Sequence, residues 1–169
     1  MAYEPWQPGM RISALRLRSI SPTWGDWVPT WTTSTGANTP SLGNAVVSAR
    51  YAQSALTVYF QMTITFGTTT NFGAAPTSGD NWRFSLPVAS ASTPTMVGYG
   101  EISDSSAGIA SRMGVRPRLT TTTVMEIEMA SGRIDAGAVA NVGIVDSVSP
   151  WTWASNDVLR LFGEYEAAA

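Results

Sequence analysis

Leu56-Thr57-Val58-Tyr59-Phe60-Gln61-Met62-Thr63-Ile64-Thr65-Phe66 places an apolar side chain at every even position and, at odd positions, mostly Thr with Tyr and Gln. Side chains of an extended chain point alternately to opposite faces, so this period of two describes a long strand with one buried face. Working outward, Trp82, Phe84 and Leu86 alternate with Arg83 and Ser85 in the same way. The stretch 119–129 repeats the pattern: Thr123, Met125, Ile127 and Met129 share one face, and Val124, Glu126 and Glu128 share the other. A last strand is expected over 158–165 with Leu159, Leu161 and Tyr165 inward, and weaker strands over 46–51, 96–102, 109–115 and 143–148. Gly-, Asn-, Ser- and Pro-containing turns separate them, and no segment carries helical periodicity long enough for the crossover helices of a parallel sheet. The expectation is an all-β domain of eight or nine strands, an antiparallel β-sandwich of jelly-roll type with a short N-terminal arm.

Composition narrows the chemistry. The 169 residues fit one domain, which can bury roughly 70% of the surface its unfolded chain exposes without a disulfide or metal. There is no Cys, no His and no Lys, and all ten basic residues are Arg. Those absences exclude Ser-His-Asp and Cys-His nucleophiles, Lys Schiff bases, thiolate- or His-ligated metals and the Lys-bearing phosphate loop. No cofactor is expected. Charged residues make up 13% of the chain and the net charge is −2, so no basic footprint for a nucleic-acid backbone is expected. The chain has no 18-residue apolar run and no apolar leader at its start, so neither a membrane span nor a secretory signal is expected.

Residues 1–22 read differently from the β domain over 23–169. Met1 to Met10 is punctuated by Pro5, Pro8 and Gly9, which excludes a helix or central strand there. Ser13 is placed to cap one or two helical turns over 14–18 before Pro22 ends them. A helix this short is marginal in water, so the arm must dock on its own domain or on a partner. It carries three Arg against one Glu, with Trp6, Met10, Ile12, Leu15 and Leu17 as apolar contacts.

Several groups invite a functional reading beside a structural one. Trp24, Trp27 and Trp31 form either a platform for stacking sugar rings or filling for the end of the domain or a subunit seam. Trp151 and Trp153 flank Thr152 and point the same way if extended. Glu126 and Glu128 put two carboxylates on one strand face, but glycosidases hold theirs across a cleft, so a solvated surface pair is expected. Asp104, Asp135 and Asp146 sit in or near Gly/Ser turns without the spacing of a Ca²⁺ loop. Arg112, Arg116 and Arg118 are expected to form inter-strand or inter-subunit salt bridges, with a phosphate or acidic partner as the other reading. Thr68-Thr69-Thr70 would offer hydroxyls to a glycan from a loop, and 120–123 would be plain strand.

An ordered set of blocks resembles a known family. Pro29-Thr30-Trp31-Thr32-Thr33, Pro40-Ser41-Leu42-Gly43-Asn44, Ala49-Arg50-Tyr51, Val58-Tyr59-Phe60, 64–73 and Trp82-Arg83-Phe84-Ser85-Leu86-Pro87 are similar to a β domain of virion surface proteins (tail-fibre, minor tail and decoration type). These come from tailed phages of high-GC Gram-positive bacteria. Residues 6–17 resemble the short arm upstream of that domain, and together the likeness covers 5–87. Family members carry Gly before the Arg-Tyr pair and a Gly-Lys turn before the long strand; here Ala49 and Ser54-Ala55 stand in those places. The resemblance implies a non-enzymatic structural module, usually a homotrimer, located in the virion and joined to other capsid or tail proteins. Its contacts would run through Trp6, Pro8, Met10, Arg11, Ile12, Leu15 and Leu17 of the arm. The alternative is a carbohydrate-binding or host-adhesion module for a cell-envelope glycan.

Overall fold

A computed structural model describes residues 8–11, 13, 14, 17, 21–73, 79–94, 96–107, 111–130 and 143–169. Nine antiparallel strands lie within them: β1 (Gly25–Asp26), β2 (Trp31–Thr33), β3 (Val46–Ser54), β4 (Thr57–Thr65), β5 (Trp82–Ser85), β6 (Gly98–Asp104), β7 (Ser111–Leu119), β8 (Val124–Met129) and β9 (Val158–Glu166). They form one sheet in the order β1-β3-β4-β9-β6-β7-β8-β5-β2. The all-β, antiparallel expectation holds. What the sequence drew as two facing sheets of a jelly roll is one continuous ladder, curled on itself.

The connectivity itself forces the curl. Eight strand-to-strand steps of about 4.8 Å would hold the edges of a flat nine-stranded sheet about 38 Å apart. Yet the two edges, β1 and β2, are joined by residues 27–30 alone, a path of at most about 18 Å. The sheet must therefore wrap until its ends approach, and its concave face becomes the core. Val58, Phe60, Met62 and Ile64 of β4 and the following Phe66 are all 0–2% exposed, so the apolar face of the clearest strand points inward as the period-two pattern requires.

An aromatic cluster closes the curl. Trp31 on the β2 edge stacks on Phe84 of β5 (5.6 Å between centroids) and on Phe66 beyond β4 (5.5 Å), and meets Trp82 edge-on at 4.7 Å. Trp153 adds contacts to Trp82 at 4.7 Å and Phe66 at 5.5 Å. Each aromatic pair contributes about 0.5–1.5 kcal/mol beyond its buried area. Packing wins here over polar satisfaction: the indole N–H groups of Trp31 and Trp82 have no acceptor, an omission that costs about 1–3 kcal/mol each. Trp153 is the exception, donating its indole N–H to the Asp146 carbonyl at 2.8 Å.

Close approach of the β9 and β6 backbones is made possible by glycine at facing positions. Gly98 and Gly163 lie opposite one another in register. A Cβ on Gly98 would collide with the Phe162 carbonyl, and one on Gly163 with the Val97 carbonyl. Both obstacles are backbone, so no side chain can swing aside.

Local turn chemistry accounts for the remaining differences from expectation. The segment 119–129 is not one strand: β8 begins at Val124, and Thr121 Oγ1 accepts the N–H groups of Thr123 (3.3 Å) and Val124 (3.2 Å), so the hydroxyl run makes a turn. Among the described residues, 143–148 form no strand: Ile144 bridges to Glu128, the Val145 backbone bonds Ile127 and Trp82, and Asp146 then turns the chain by accepting the Val148 N–H at 2.8 Å. β9, at the end of the chain, lies between β4 and β6, and Tyr165 on it donates its hydroxyl to the Val88 carbonyl at 2.6 Å. Burial pushes that phenol up to about 12, so it stays a donor throughout the physiological range.

Two substitutions test this account. Gly163→Ala should lower unfolding free energy by about 2 kcal/mol or more, read as a lower denaturant midpoint at unchanged slope. Ala55, in the two-residue β3–β4 turn, holds a φ of +52°, a region that suits glycine. Ala55→Gly should therefore raise stability by about 0.5–1 kcal/mol in the same assay.

Candidate functional site

The outer face of the sheet divides into an ionic half and an aromatic half. On the ionic half, Glu126 of β8 stands in register between Arg83 of β5 and Arg118 of β7. Arg83 binds one carboxylate oxygen at 2.8 Å and Arg118 the other at 3.2 Å. The two guanidinium stems fold over the carboxylate, leaving the Glu126 side chain 3% exposed. Glu128 pairs with Arg116 at 2.9 Å, and Glu101 of β6 with Arg160 of β9 at 3.0 Å. The expected inter-strand role of Arg116 and Arg118 is thus what the structure shows. The expected solvated Glu pair is corrected: Glu126 is buried, because cross-strand Arg partners on both sides cover it.

Other candidate groups are consumed by structure as well. Asn44 Oδ1 accepts the Thr69 N–H at 2.8 Å and the Thr69 hydroxyl at 2.9 Å. The Thr70 hydroxyl donates to the Leu42 carbonyl at 2.8 Å. The first Thr run is therefore a latch between two loops. Asp157 accepts Ser105 N–H at 2.8 Å and Ala154 N–H at 2.9 Å, pinning the loop that precedes β9. Asp104 caps its own turn through Ser106 N–H at 2.8 Å. Burial holds the Asp146 carboxyl above the usual carboxylate range, with the neighbouring charge of Asp80 adding to the effect. Among the described residues no three acids gather as metal ligands, and Asp135 lies outside them.

The tryptophans separate. Trp31 is in the core, Trp27 is half-buried with its ring edge-on to Phe60 at 6.4 Å, and Trp151 packs on Trp153 at 5.2 Å. A three-Trp platform does not form; Trp24 alone stays on the surface, 42% exposed. Of the arm, Pro8, Arg11 and Leu17 are exposed and Met10 is half-buried. Leu17 N–H donates to the Ser13 carbonyl at 3.0 Å, a helical spacing. Trp6, Ile12 and Leu15 fall outside the described residues.

Alternation also builds the aromatic half, which sequence reading missed. Odd residues of β4 and β6 and even residues of β9 point outward, so register sets Gln61, Phe162 and Tyr99 side by side across β4, β9 and β6. Tyr59 lies opposite Glu164 in the next row. Phe162 is 59% exposed and Tyr99 54%, unusual for large rings in a sheet whose other face is well filled. With Trp24 and Met96 they line a groove of about 570 Å³. The signal was present in the sequence as aromatics at positions the alternation assigns to solvent, yet only strand order shows that they are neighbours.

Comparison with protein-family models, curated proteins and solved structures finds no match for this chain.

The ionic half yields a graded expectation. Glu126→Ala strands two partly buried guanidinium groups and should cost about 2–3 kcal/mol in denaturant titration, whereas Glu128→Ala, at a more open pair, should cost under about 1 kcal/mol.

Proposed function

We propose that this protein is a non-enzymatic structural module of a bacteriophage particle surface, a homotrimer joined to capsid or tail proteins through residues 1–22. One observation carries the reading. The blocks that resemble phage virion surface proteins are scattered over residues 29–87, yet they meet in space: Trp31 contacts Trp82 and Phe84, Ser41 bridges to Asn71, and Asn44 binds Thr69. The likeness therefore rests on residues that close the sheet and latch its loops, which are the residues a shared scaffold would have to keep. Glu126 and Glu128, the paired acids on one strand face, are held in Arg pairs, which supports a structural rather than hydrolytic role. A carbohydrate-binding or host-adhesion module is the second reading, favoured by the exposed aromatic row, and it is compatible with the first.

Antibodies against the β domain should label purified phage particles in electron micrographs. Light scattering of the full chain should give three times the 18.0 kDa subunit mass. Protein found in lysate but absent from particles, or a monomer in solution, would overturn the respective part of the proposal.

A further inference from the structure

We infer that the groove on the outer face of β4, β9 and β6 is a binding site for a neutral pyranose oligosaccharide. The inference deepens the second reading and is independent of assembly into a particle. Trp24, Tyr59, Tyr99 and Phe162 bring aromatic rings to one groove, with Gln61 and Glu164 set among them. Aromatic faces pack against the C–H faces of sugar rings, and they do so without the ordering cost of flexible side chains. Sugar hydroxyls also need polar partners. Here the hydroxyls of Tyr59 and Tyr99, the Gln61 amide and the Glu164 carboxylate form no hydrogen bond or ion pair within the described residues. That contrasts with the ionic half of the same face, where Glu126 and Glu128 are paired with arginine.

Size and charge limit the ligand further. A volume of about 570 Å³ falls in the range of small-ligand clefts, about 300–1,000 Å³, and suits a few sugar rings. Among the described residues Glu164 is the only formal charge lining the groove, so an acidic saccharide would meet repulsion and a neutral one would gain a strong acceptor for its hydroxyls. The rings of Tyr59, Tyr99 and Phe162 stand on strands whose register is held by continuous pairing from β4 to β9 to β6, so that part of the site is preformed.

The test uses the full chain on a high-density array of neutral and acidic oligosaccharides of gluco, galacto, manno and rhamno configuration, followed by titration of any retained sugar against intrinsic tryptophan fluorescence. Neutral pyranosides should be retained and acidic ones not. Tyr99→Ala and Phe162→Ala should each weaken binding by about tenfold. Both side chains are more than half exposed, so melting temperature should stay near that of the parent, which separates lost binding from lost fold. Retention of no neutral glycan would overturn the proposal, as would retention unchanged in the Tyr99→Ala, Phe162→Ala double variant. Conversion of an oligomer to monomer by that double variant would also overturn it, by assigning the face to a subunit seam.

Discussion

Closure of the sheet depends on Trp31. It lies on β2, the strand at one end of the nine-stranded order, and its ring touches Phe66, which follows β4 near the other end. Without that contact and its neighbours Trp82 and Phe84, the short link between β1 and β2 would hold two edges together with little between them. The cluster is apolar enough to bury two indole N–H groups unpaired, so its packing energy exceeds the cost of leaving those donors dry. Glycines at facing positions of β6 and β9 contribute to the same ladder, since they let two backbones approach where a Cβ would collide with a carbonyl.

With the concave face occupied by the core, the convex face of the sheet is left open to solvent, and it is divided. Crossed Arg–Glu pairs cover β5, β8 and β7, and Arg160–Glu101 joins β9 to β6 beside the aromatic row; they satisfy each other and leave little for a partner. Exposed rings over β4, β9 and β6 are unpaired and unfilled. In a chain with so few charges, these exposed aromatics are the surface on which the proposed glycan recognition rests. A virion scaffold and a glycan-binding face are compatible roles, because the first uses the closed sheet and its arm and the second uses the convex surface alone.

Strands with strong alternation were legible in the sequence. β4, β5 and β9 fall where the period-two pattern put them, with Phe60, Ile64, Phe84 and Leu159 facing inward. β1 and β2 were not, because two or three residues carry no period. The Thr run at 120–123 read as strand, since Thr favours extended backbone, but a hydroxyl that binds nearby N–H groups serves a turn equally well. The burial of Glu126 was likewise invisible. An acid on an outward face reads as solvated unless both cross-strand neighbours are known to be arginine.

The sequence by itself determined the all-β class, the inward faces of the main strands and the absence of His, Cys and Lys chemistry, because these follow from local alternation and residue identity. Tertiary structure decided which strands are neighbours. The insertion of β9 between β4 and β6 joins residues about a hundred positions apart, and it alone sets Gln61, Phe162 and Tyr99 in one row. A strand's own pattern states which face is apolar, but it carries no mark of the partner that will lie beside it. Long-range pairing is fixed only when the whole sheet closes on one core.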